Sequence, residues 1–528
     1  MVASSQRAIA RAIPRGRPGA TGAAPIPVWT NDVSLSFIDA NGNPIGPPPK
    51  NLLGPEGPSG DFRNFETRTR AIAASISPML ISIEIMRYAD GYPKAPAVYI
   101  HGTSSGPMAF QDSGGSGTWW ELDVTGYDLD VRWFGAKGDA SGDTAEIAAA
   151  LAVLGNAGGG ILRFPAGIFV TSATQNVPIN VGLKGIGGLA SELRAVDCDA
   201  LHYSWTTGLG NAIIDGLFIN GSGATAARTG IYQHGDLVDF DLRAYGFSIL
   251  NCIIYNFDVG VKLQSSQNFE LFNTWIQNVN YALQLAVALA GRITDCTFVR
   301  ATAPPFMSGD GKSRAIYLIP GTYTQGTRRP EGVIVTNGQF VGFDRGIDAL
   351  SCIWLVTADT SIEANEYGII FTEVLNGIVV KGCYIQMDAG GQAAIFGTGY
   401  SSVLVGDIKI KDNTLISADG LTPDGIKLNG AGFANSVPPA SLEGNYIVGM
   451  ASYDILLLTP GHTKVADNTC ASNGTASIYV DTRASGVISL DHNDCTKGIV
   501  YVTASDVTNG YVRHRGNVIN GSTIEADA

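Results

Sequence analysis

The feature that most constrains this chain is a short motif that recurs eleven times between residues 251 and 517. Each copy places an apolar residue three positions after a polar or glycine start, although the last three copies lose the apolar residue. Most copies begin 22 to 25 residues after the previous one. The starts are Asn251, Asn273, Asp295, Asn337, Asp359, Gly382, Asn413, Asn445, Asn468, Asn493 and Asn517.

A repeat of this length contains short strands and turns but no helix, so it cannot bury an apolar face alone. It must stack on its neighbours, and the stacked form is a parallel β-helix with coils about 4.8 Å apart. Cysteines that directly follow a start are predicted to be inert core residues. They are Cys252, Cys296 and Cys383.

Three longer spacings interrupt the repeat and predict inserted loops over 300–332, 388–405 and 418–439. Loops that project from a rigid scaffold often carry binding function. We therefore expect a ligand site near one of these insertions.

The composition supports a turn-rich β protein. Charged residues make up 15% of the chain, against roughly 25% in an average soluble protein. Glycine accounts for 66 of 528 residues, which argues against a helix bundle, a coiled coil or a disordered chain. The formal net charge is −13, although the first 28 residues hold four arginines and no acid. An acidic main body is not expected to bind nucleic acid or an anionic membrane.

Metal sites, cofactors and membrane spans leave no signature in the sequence. The seven cysteines form no CxxC pair and the six histidines form no HExxH motif, so neither a metal nor a cofactor is expected. No apolar run reaches the roughly 18 residues of a membrane span. The N-terminus has no signal-peptide pattern, and we expect neither membrane insertion nor export by the usual route.

Local composition divides the chain into three parts. Residues 1–60 are predicted to be an extended attachment segment with collagen-like triplets, and a stiff tether is favoured over a short triple helix. A strand is expected within it over 33–38. Residues 61–130 are predicted to form a small α+β module, and residues 131–528 the β-helix domain.

Two helices are expected before the repeat begins. One spans 65–86 and breaks at Pro78. The other spans 145–154, with Asp143 or Thr144 as its N-cap, and would cover the open end of the stacked β core.

The segment VRWFGAKGD at 131–139, the alanine-rich helix after it and the sequence LRFPAGIF at 162–169 resemble the opening motif of one family. That family is the bacteriophage tailspike proteins with a pectate-lyase-like right-handed β-helix. The segment GTWWEL at 117–122 is similar to the end of their particle-attachment modules. The resemblance covers roughly 60–520 of this chain. One departure is Gly142, which stands where such motifs often have a second acid.

The resemblance implies a homotrimer in the phage tail. Its N-terminal region would attach to a tail or adaptor protein, and its β-helix would bind, and often cleave, a host surface polysaccharide. The sequence shows no obvious trimerisation domain after the last repeat, so the means of trimer formation stays open.

Candidate catalytic residues are acids on neighbouring coils, because glycoside hydrolysis usually uses two carboxylates. Asp344 and Glu366 lie seven residues after consecutive starts and are expected about one coil apart. Asp348 and Glu363 are a second choice. The alternatives are turn formation by the first pair and a solvated acidic face for the whole group.

Candidate substrate-binding residues lie near the same coils. Trp275 and Tyr384 each lie two residues after a start and are expected to face outward as sugar platforms, or to lie in a subunit interface. Arg328 and Arg329 in the largest insertion would hold an acidic sugar, or form a solvated loop tip.

Three functions are compatible with these residues. The first is a tailspike that degrades polysaccharide, with hydrolysis favoured over lyase chemistry, and the second is a non-catalytic receptor-binding tailspike. A cellular polysaccharide lyase is the third, and the absence of an export signal argues against it. Fold alone does not separate them.

Overall fold

We describe the protein from a computed structural model. It describes residues 63–519 except 75, 77–79, 103–107, 113–117, 127, 206–209, 224–225, 303–309, 373–376, 389, 399–406, 430–438, 459–461, 473, 482–486 and 502–511. It also gives the backbone of 26–31, 34–38, 44–51 and 522–524.

The chain winds into a right-handed parallel β-helix in which each full coil passes through three strand positions, here called a, b and c. Position a builds a 15-stranded sheet, and positions b and c share a 27-stranded sheet. The strands at position a are Asp128–Asp130, Gly160–Arg163, Val181–Lys184, Ala212–Asp215, Phe247–Leu250, Glu270–Phe272, Arg292–Thr294, Val333–Thr336, Leu355–Ala358, Ile378–Lys381, Ile408–Lys411, Ala440–Glu443, Thr463–Ala466, Ile488–Asp491 and Val512–Arg515.

Positions b and c follow each a strand. The strands at position b are Gly167–Thr171, Ser191–Val196, Phe218–Ser222, Ile253–Tyr255, Trp275–Gln277, Thr297–Val299, Tyr384–Met387, Thr414–Ser417, Tyr446–Val448, Thr469–Cys470, Asp494–Cys495 and Asn517–Ile519. Those at position c are Gln175–Val177, Leu201–Ser204, Thr229–His234, Val259–Gln267, Tyr281–Leu289, Arg314–Ile319, Ala393–Thr398, Asp424–Asn429, Tyr453–Leu458, Ala476–Asp481 and Ile499–Tyr501.

In two coils, b and c form one uninterrupted strand. These strands are Gln339–Ala349 and Ser361–Phe371. Short accessory strands complete the set: Ala244–Tyr245 beside the c sheet, Ser522–Ile524 antiparallel to the last b strand, and the hairpin Gly321–Tyr323 with Gly326–Arg328. A 3₁₀ turn spans Phe240–Leu242.

The predicted parallel β-helix is confirmed. Equivalent residues of successive coils pair in parallel register, as Trp275 does with Ile253 before it and with Thr297 after it. The apolar side chains that point inward form one continuous core, which also contains all seven cysteines in their buried, free state.

The predicted insertions are wrong in extent, because each contains a strand of the regular coil. Residues 300–332 include the c strand Arg314–Ile319, so only 300–313 and 320–332 are additions. The other two predicted insertions contain the c strands Ala393–Thr398 and Asp424–Asn429. The starts mark only the b strands, so a longer spacing between starts does not show where the added residues lie.

The turn from a to b uses one left-handed residue in each coil of the repeat. Asn, Asp and Gly tolerate this conformation best, and Asn273 and Asp359 adopt it with φ of 46° and 50°. The first six predicted starts occupy this position. The last five starts lie one residue later, because they follow left-handed residues such as Asp412 and Asp467.

The position after the left-handed residue is a buried hydrogen-bond donor in nearly every coil. In the earlier coils it holds a small donor, and the Cys252 thiol and Thr274 hydroxyl both contact backbone carbonyls. In the last five coils it holds asparagine: Asn413, Asn445, Asn468, Asn493 and Asn517.

These five asparagines form a continuous ladder. The Nδ2 atom of each of the first four donates to Oδ1 of the next at 2.9 Å. Each Nδ2 also donates to a backbone carbonyl, as Asn468 does to Leu442 at 2.9 Å. The polar side chains are therefore satisfied inside the core, which is the condition for burying them at low cost.

We expect Asn468→Ala to destabilise the protein by about 2 kcal/mol or more, because it leaves buried donors of Asn445 without an acceptor. The measurement is chemical denaturation of the purified chain. The matched control is Asp467→Asn at the neighbouring exposed position, which keeps the left-handed turn and should change stability by less than about 0.5 kcal/mol. Equal effects of the two variants would contradict the ladder's role.

A helix closes the first coil, as the sequence predicts. It spans Thr144–Asn156 and buries Ile147, Leu151 and Leu154 against the start of the core. Asp143 precedes it but does not cap it with its side chain. The carboxylate instead accepts from the backbone N–H of Lys137 at 2.6 Å and so ties the preceding loop. Within the described residues, no helix is long and apolar enough to cross a membrane.

Residues 63–122 form a small α+β unit whose helix is shorter than expected. A helix covers only Arg68–Ala73, and its sheet contains Arg63–Phe65, Ser82–Ile85, Ala97–Gly102, Phe110–Gln111 and Trp119–Leu122. The expected helix over 65–86 is wrong because alternating burial makes Ser82–Ile85 a strand. A 3₁₀ turn at Val131–Phe134 leads into the β-helix, and both parts share one core.

The predicted attachment segment contains regular structure. Strands Ile26–Asn31, Ser34–Ile38 and Pro44–Asn51 pair in an antiparallel sheet, and the second agrees with the predicted strand. The two regions of collagen-like triplets lie outside the described residues.

One acid lies in the core where other coils have a small residue. Asp454 is buried and lies opposite Gly425 and Ser477 in the c sheet. Burial raises its pKa to about 7, and the nearby hydroxyls of Ser472 and Ser477 offset this only in part.

A raised pKa means that the folded state keeps a proton that the unfolded chain releases at lower pH. Stability should therefore fall as pH rises between about 4 and about 7 and stay low above that range. We expect Asp454→Asn to raise the melting temperature more at pH ~8 than at pH ~5, measured by differential scanning calorimetry. An equal shift at both pH values would contradict this account.

Candidate functional site

The acids predicted from the sequence lie around the turn from b to c, in the coils that follow the loop 300–313. Asp348 lies on the c strand, in register with Tyr317 before it and Ile370 after it. Its side chain is 4% exposed, and Oδ2 accepts from Arg314 Nε at 2.6 Å and from Arg345 Nη1 at 2.8 Å. Two guanidinium groups therefore neutralise this buried carboxylate.

Asp344 and Glu366 occupy equivalent places on consecutive coils, as predicted, but they have different partners. The equivalence follows from the pairing of Arg345 with Tyr367. Asp344 Oδ2 accepts from both the backbone N–H and the hydroxyl of Ser313 at 2.8 Å, which fixes the end of the loop 300–313. Glu366 pairs with Arg345 Nε at 3.0 Å and with Lys312 Nζ at 3.5 Å.

Aromatic rings surround the two arginines. The Arg314 guanidinium lies 4.3 Å from the ring centre of Tyr317 and 5.6 Å from that of Tyr281. Arg314 also pairs with Asp310 at 2.7 Å and holds the pKa of that acid at about 2, with its hydrogen bond as the main cause. We call this group, Asp310, Lys312, Arg314, Arg345, Asp348 and Glu366, the charged cluster.

The charged cluster ties residues 310–313 to the β-helix, and its carboxylates are paired with cations. Each carboxylate in it has a cationic partner, and Arg314 bridges the loop residue Asp310 to Asp348 on the next coil. A buried, paired carboxylate stays charged, whereas a general acid must carry a proton at the working pH.

We expect Asp348→Ala to cost about 3 kcal/mol of stability, because it removes the buried carboxylate that accepts from both Arg314 and Arg345 and leaves Arg314 with Asp310 alone. Glu366→Gln is the control, since Glu366 is partly exposed and its loss should cost about 1 kcal/mol or less. Thermal melting of both variants against the parent measures the difference. A neutral Asp348→Ala variant would show that the network carries no stability.

A second arrangement of acids lies on the b side of the same turn. Glu363 faces outward, in register with Gln386 of the next coil. Its pKa is raised, first by burial and then by the negative charge of Asp388, with which it shares a hydrogen bond. The neighbouring negative charge makes the ionised form of Glu363 less favourable.

Tyr384 lies beside this carboxyl pair. Its hydroxyl donates to Gln386 Oε1 at 3.1 Å, and its ring is 41% exposed. The structure thus brings Glu363, a predicted catalytic residue, close to Tyr384, a predicted sugar platform. We call Glu363, Tyr384, Gln386 and Asp388 the carboxyl-pair site.

The other predicted binding residues lie elsewhere. Trp275 is 46% exposed, as expected, and lines a cleft of about 300 Å³ with Asn251 and Asn273. It shares an outward column with Tyr384 but is four coils away, about 19 Å at the usual strand spacing.

Arg328 packs over the Phe240 ring, and Arg329 donates to Ser351. Both arginines belong to the turn from c to a, so neither lies at the carboxyl-pair site.

Asp388 and Gln386 are the site residues that the sequence analysis did not select. Both belong to the b strand that begins at Tyr384 or directly follow it, and Gln386 stands one coil after Glu363. Aligning each b strand with the next would have identified them, because acids or amides then coincide at one outward position. Among the described residues, no group of three His, Cys, Asp or Glu side chains is arranged to hold a metal ion.

Neither a protein-family model nor a curated protein matches this chain. Solved structures do. The A-module of a mannuronan C-5 epimerase from Azotobacter vinelandii is 14% identical over 76% of this chain and 100% of that one, with a TM-score of 0.47.

Two tailspikes also match. Tailspike protein 2 from an Escherichia coli O157:H7 bacteriophage is 13% identical over 81% of this chain and 58% of its own length, with a TM-score of 0.44. A tailspike from Acinetobacter baumannii bacteriophage Fri1, a capsular polysaccharide depolymerase, is 11% identical over 89% of this chain and 77% of its own length, with a TM-score of 0.45. The tailspikes that the opening motif resembles are thus among the solved structures that this chain matches.

Proposed function

We propose that this protein is a bacteriophage tailspike that binds a host surface polysaccharide and hydrolyses it at the carboxyl-pair site. The observation that carries the catalytic part is the raised pKa of Glu363 beside Asp388. Glycosidases need one carboxyl group that carries a proton and one that is ionised, and a raised pKa favours the first role for Glu363.

In this proposal Glu363 is the general acid. Its raised pKa allows it to donate a proton to the leaving glycosidic oxygen, while Asp388 attacks or stabilises the sugar.

Substrate binding would use the outward column at position b. Tyr384 offers an exposed ring for stacking on a sugar, and Gln386 offers an amide for its hydroxyls. Trp275 and Tyr446, 46% and 45% exposed, lie in the same column and would contact more distant sugars of the same chain.

The tailspike assignment is supported by the order of parts along the chain. A small α+β unit precedes the 131–139 motif, then come the capping helix and the β-helix. In this proposal the protein is a homotrimer in the virion tail, and its N-terminal region binds a tail or adaptor protein.

A non-catalytic receptor-binding tailspike is the second candidate. It is favoured by the charged cluster, where the predicted acids Asp348 and Glu366 are paired with cations. In that case the carboxyl pair would bind sugar without cleaving it.

The test is an assay of new reducing ends on purified host capsule or lipopolysaccharide. Glu363→Gln and Asp388→Asn should each lower the rate by at least about 100-fold and leave glycan retention unchanged. Glu366→Gln, on the other side of the same turn, is the control and should keep most of the activity. Full activity in Glu363→Gln would overturn the site, and glycan retention without any reducing ends would favour the second candidate.

A further inference from the structure

A second polar group lies on the c face, toward the N-terminal end of the β-helix. Asn176, His202, Tyr232 and Lys262 occupy one outward column on four consecutive coils. The His202 and Tyr232 rings stack with centres 5.1 Å apart and planes 6° from parallel, and the Lys262 ammonium lies 4.8 Å from the Tyr232 ring centre. Ring stacking and the cation–π contact hold the three side chains in place.

A neighbouring histidine fixes the hydrogen-bond pattern of this group. His234 Nδ1 lies 2.6 Å from the Gly235 carbonyl, which can only accept, so that nitrogen carries the proton. In the neutral ring, His234 Nε2 is then an acceptor, and it lies 3.0 Å from His202 Nε2. His202 therefore donates through Nε2, and its Nδ1 lies 3.2 Å from Asn176 Oδ1.

The ammonium of Lys262 differs from most other lysines on the β-helix. Within the parts of the chain that the structure describes, no carboxylate lies within 4 Å of it, whereas Lys427 in the same column pairs with Asp424 at 3.1 Å. Lys262 is also half-buried, and burial lowers its pKa. A half-buried cation without a counter-ion is costly and favours an anionic ligand.

We propose that Lys262, held on the Tyr232 ring, forms a subsite for the carboxylate of a uronic acid in the polysaccharide. This inference rests on the proposed function and names its substrate class. Lys262 would donate to the carboxylate through its ammonium. Tyr232 and His202 would act as positioning residues, because the Tyr232 ring lies between His202 and Lys262 and its hydroxyl is held by Gln264 Oε1 at 3.0 Å.

The subsite and the carboxyl-pair site would contact one extended polymer. Lys262 lies four coils before the strand that carries Glu363, about 19 Å along the axis at the usual strand spacing. A chain of several sugars is needed to reach both places. Acidic sugars would thus be selected at a distance from the bond that is cleaved.

The test is calorimetric titration of the full chain with tetrasaccharides of galacturonate, glucuronate, mannuronate and guluronate, and with a neutral maltotetraose. At least one acidic tetrasaccharide should bind at least 10-fold more tightly than the neutral one. Lys262→Met should abolish this preference, and Lys262→Arg should keep it. Lys427→Met is the matched control, since that lysine shares the column and packs on Phe396 but already has a counter-ion.

Two results would overturn the subsite: no acidic tetrasaccharide binds better than the neutral one, or the preference survives in a folded Lys262→Met variant. These results are separable from failure of the proposed hydrolysis. Loss of reducing ends in Glu363→Gln with no effect of Lys262→Met leaves the hydrolase and removes the subsite. Uronate binding that depends on Lys262, in a protein that produces no new reducing ends, keeps the subsite and removes the proposed hydrolysis.

Discussion

Everything in this fold depends on keeping buried polar groups satisfied while each coil turns sharply from a to b. A left-handed residue makes the turn, and the next side chain must donate to carbonyls that the turn leaves open. Cysteine and threonine do so in the earlier coils, and asparagine does so in the last five. Once this register is fixed, every outward residue has defined neighbours one coil before and one coil after it. The candidate sites are consequences of that register.

The acids of the charged cluster and of the carboxyl-pair site differ in the charges that surround them. Asp348 and Glu363 lie on adjacent coils, yet one is enclosed by two guanidinium groups and the other faces a second carboxylate. The first environment pairs the carboxylate with cations, and the second raises the pKa of Glu363. The proposed division between a carboxylate that holds a loop and one that acts as an acid rests on this difference.

The sequence was sufficient for the coil period, the buried cysteines, the capping helix and the outward orientation of Trp275 and Tyr384, because these depend on local pattern. It could not give the partners of Asp344 or Asp348, which come from Ser313 and Arg314 on a neighbouring coil. It also misplaced the insertions, because the spacing of the b-strand starts does not show where the added residues lie. Asp388 was missed because its importance arises only from the stacking of one strand on the next.

The two coils in which b and c form one strand have a mechanical consequence. At Gln339–Ala349 and Ser361–Phe371 the backbone passes the turn without a projecting loop of its own, so the rim beside these coils comes from residues 310–313 of the coil before them. Under the proposed function, a long polymer would enter from the side of these two coils, anywhere along its length, without threading a free end. Cleavage there would give fragments of mixed length from the first moments of reaction, rather than a steady release of one small product.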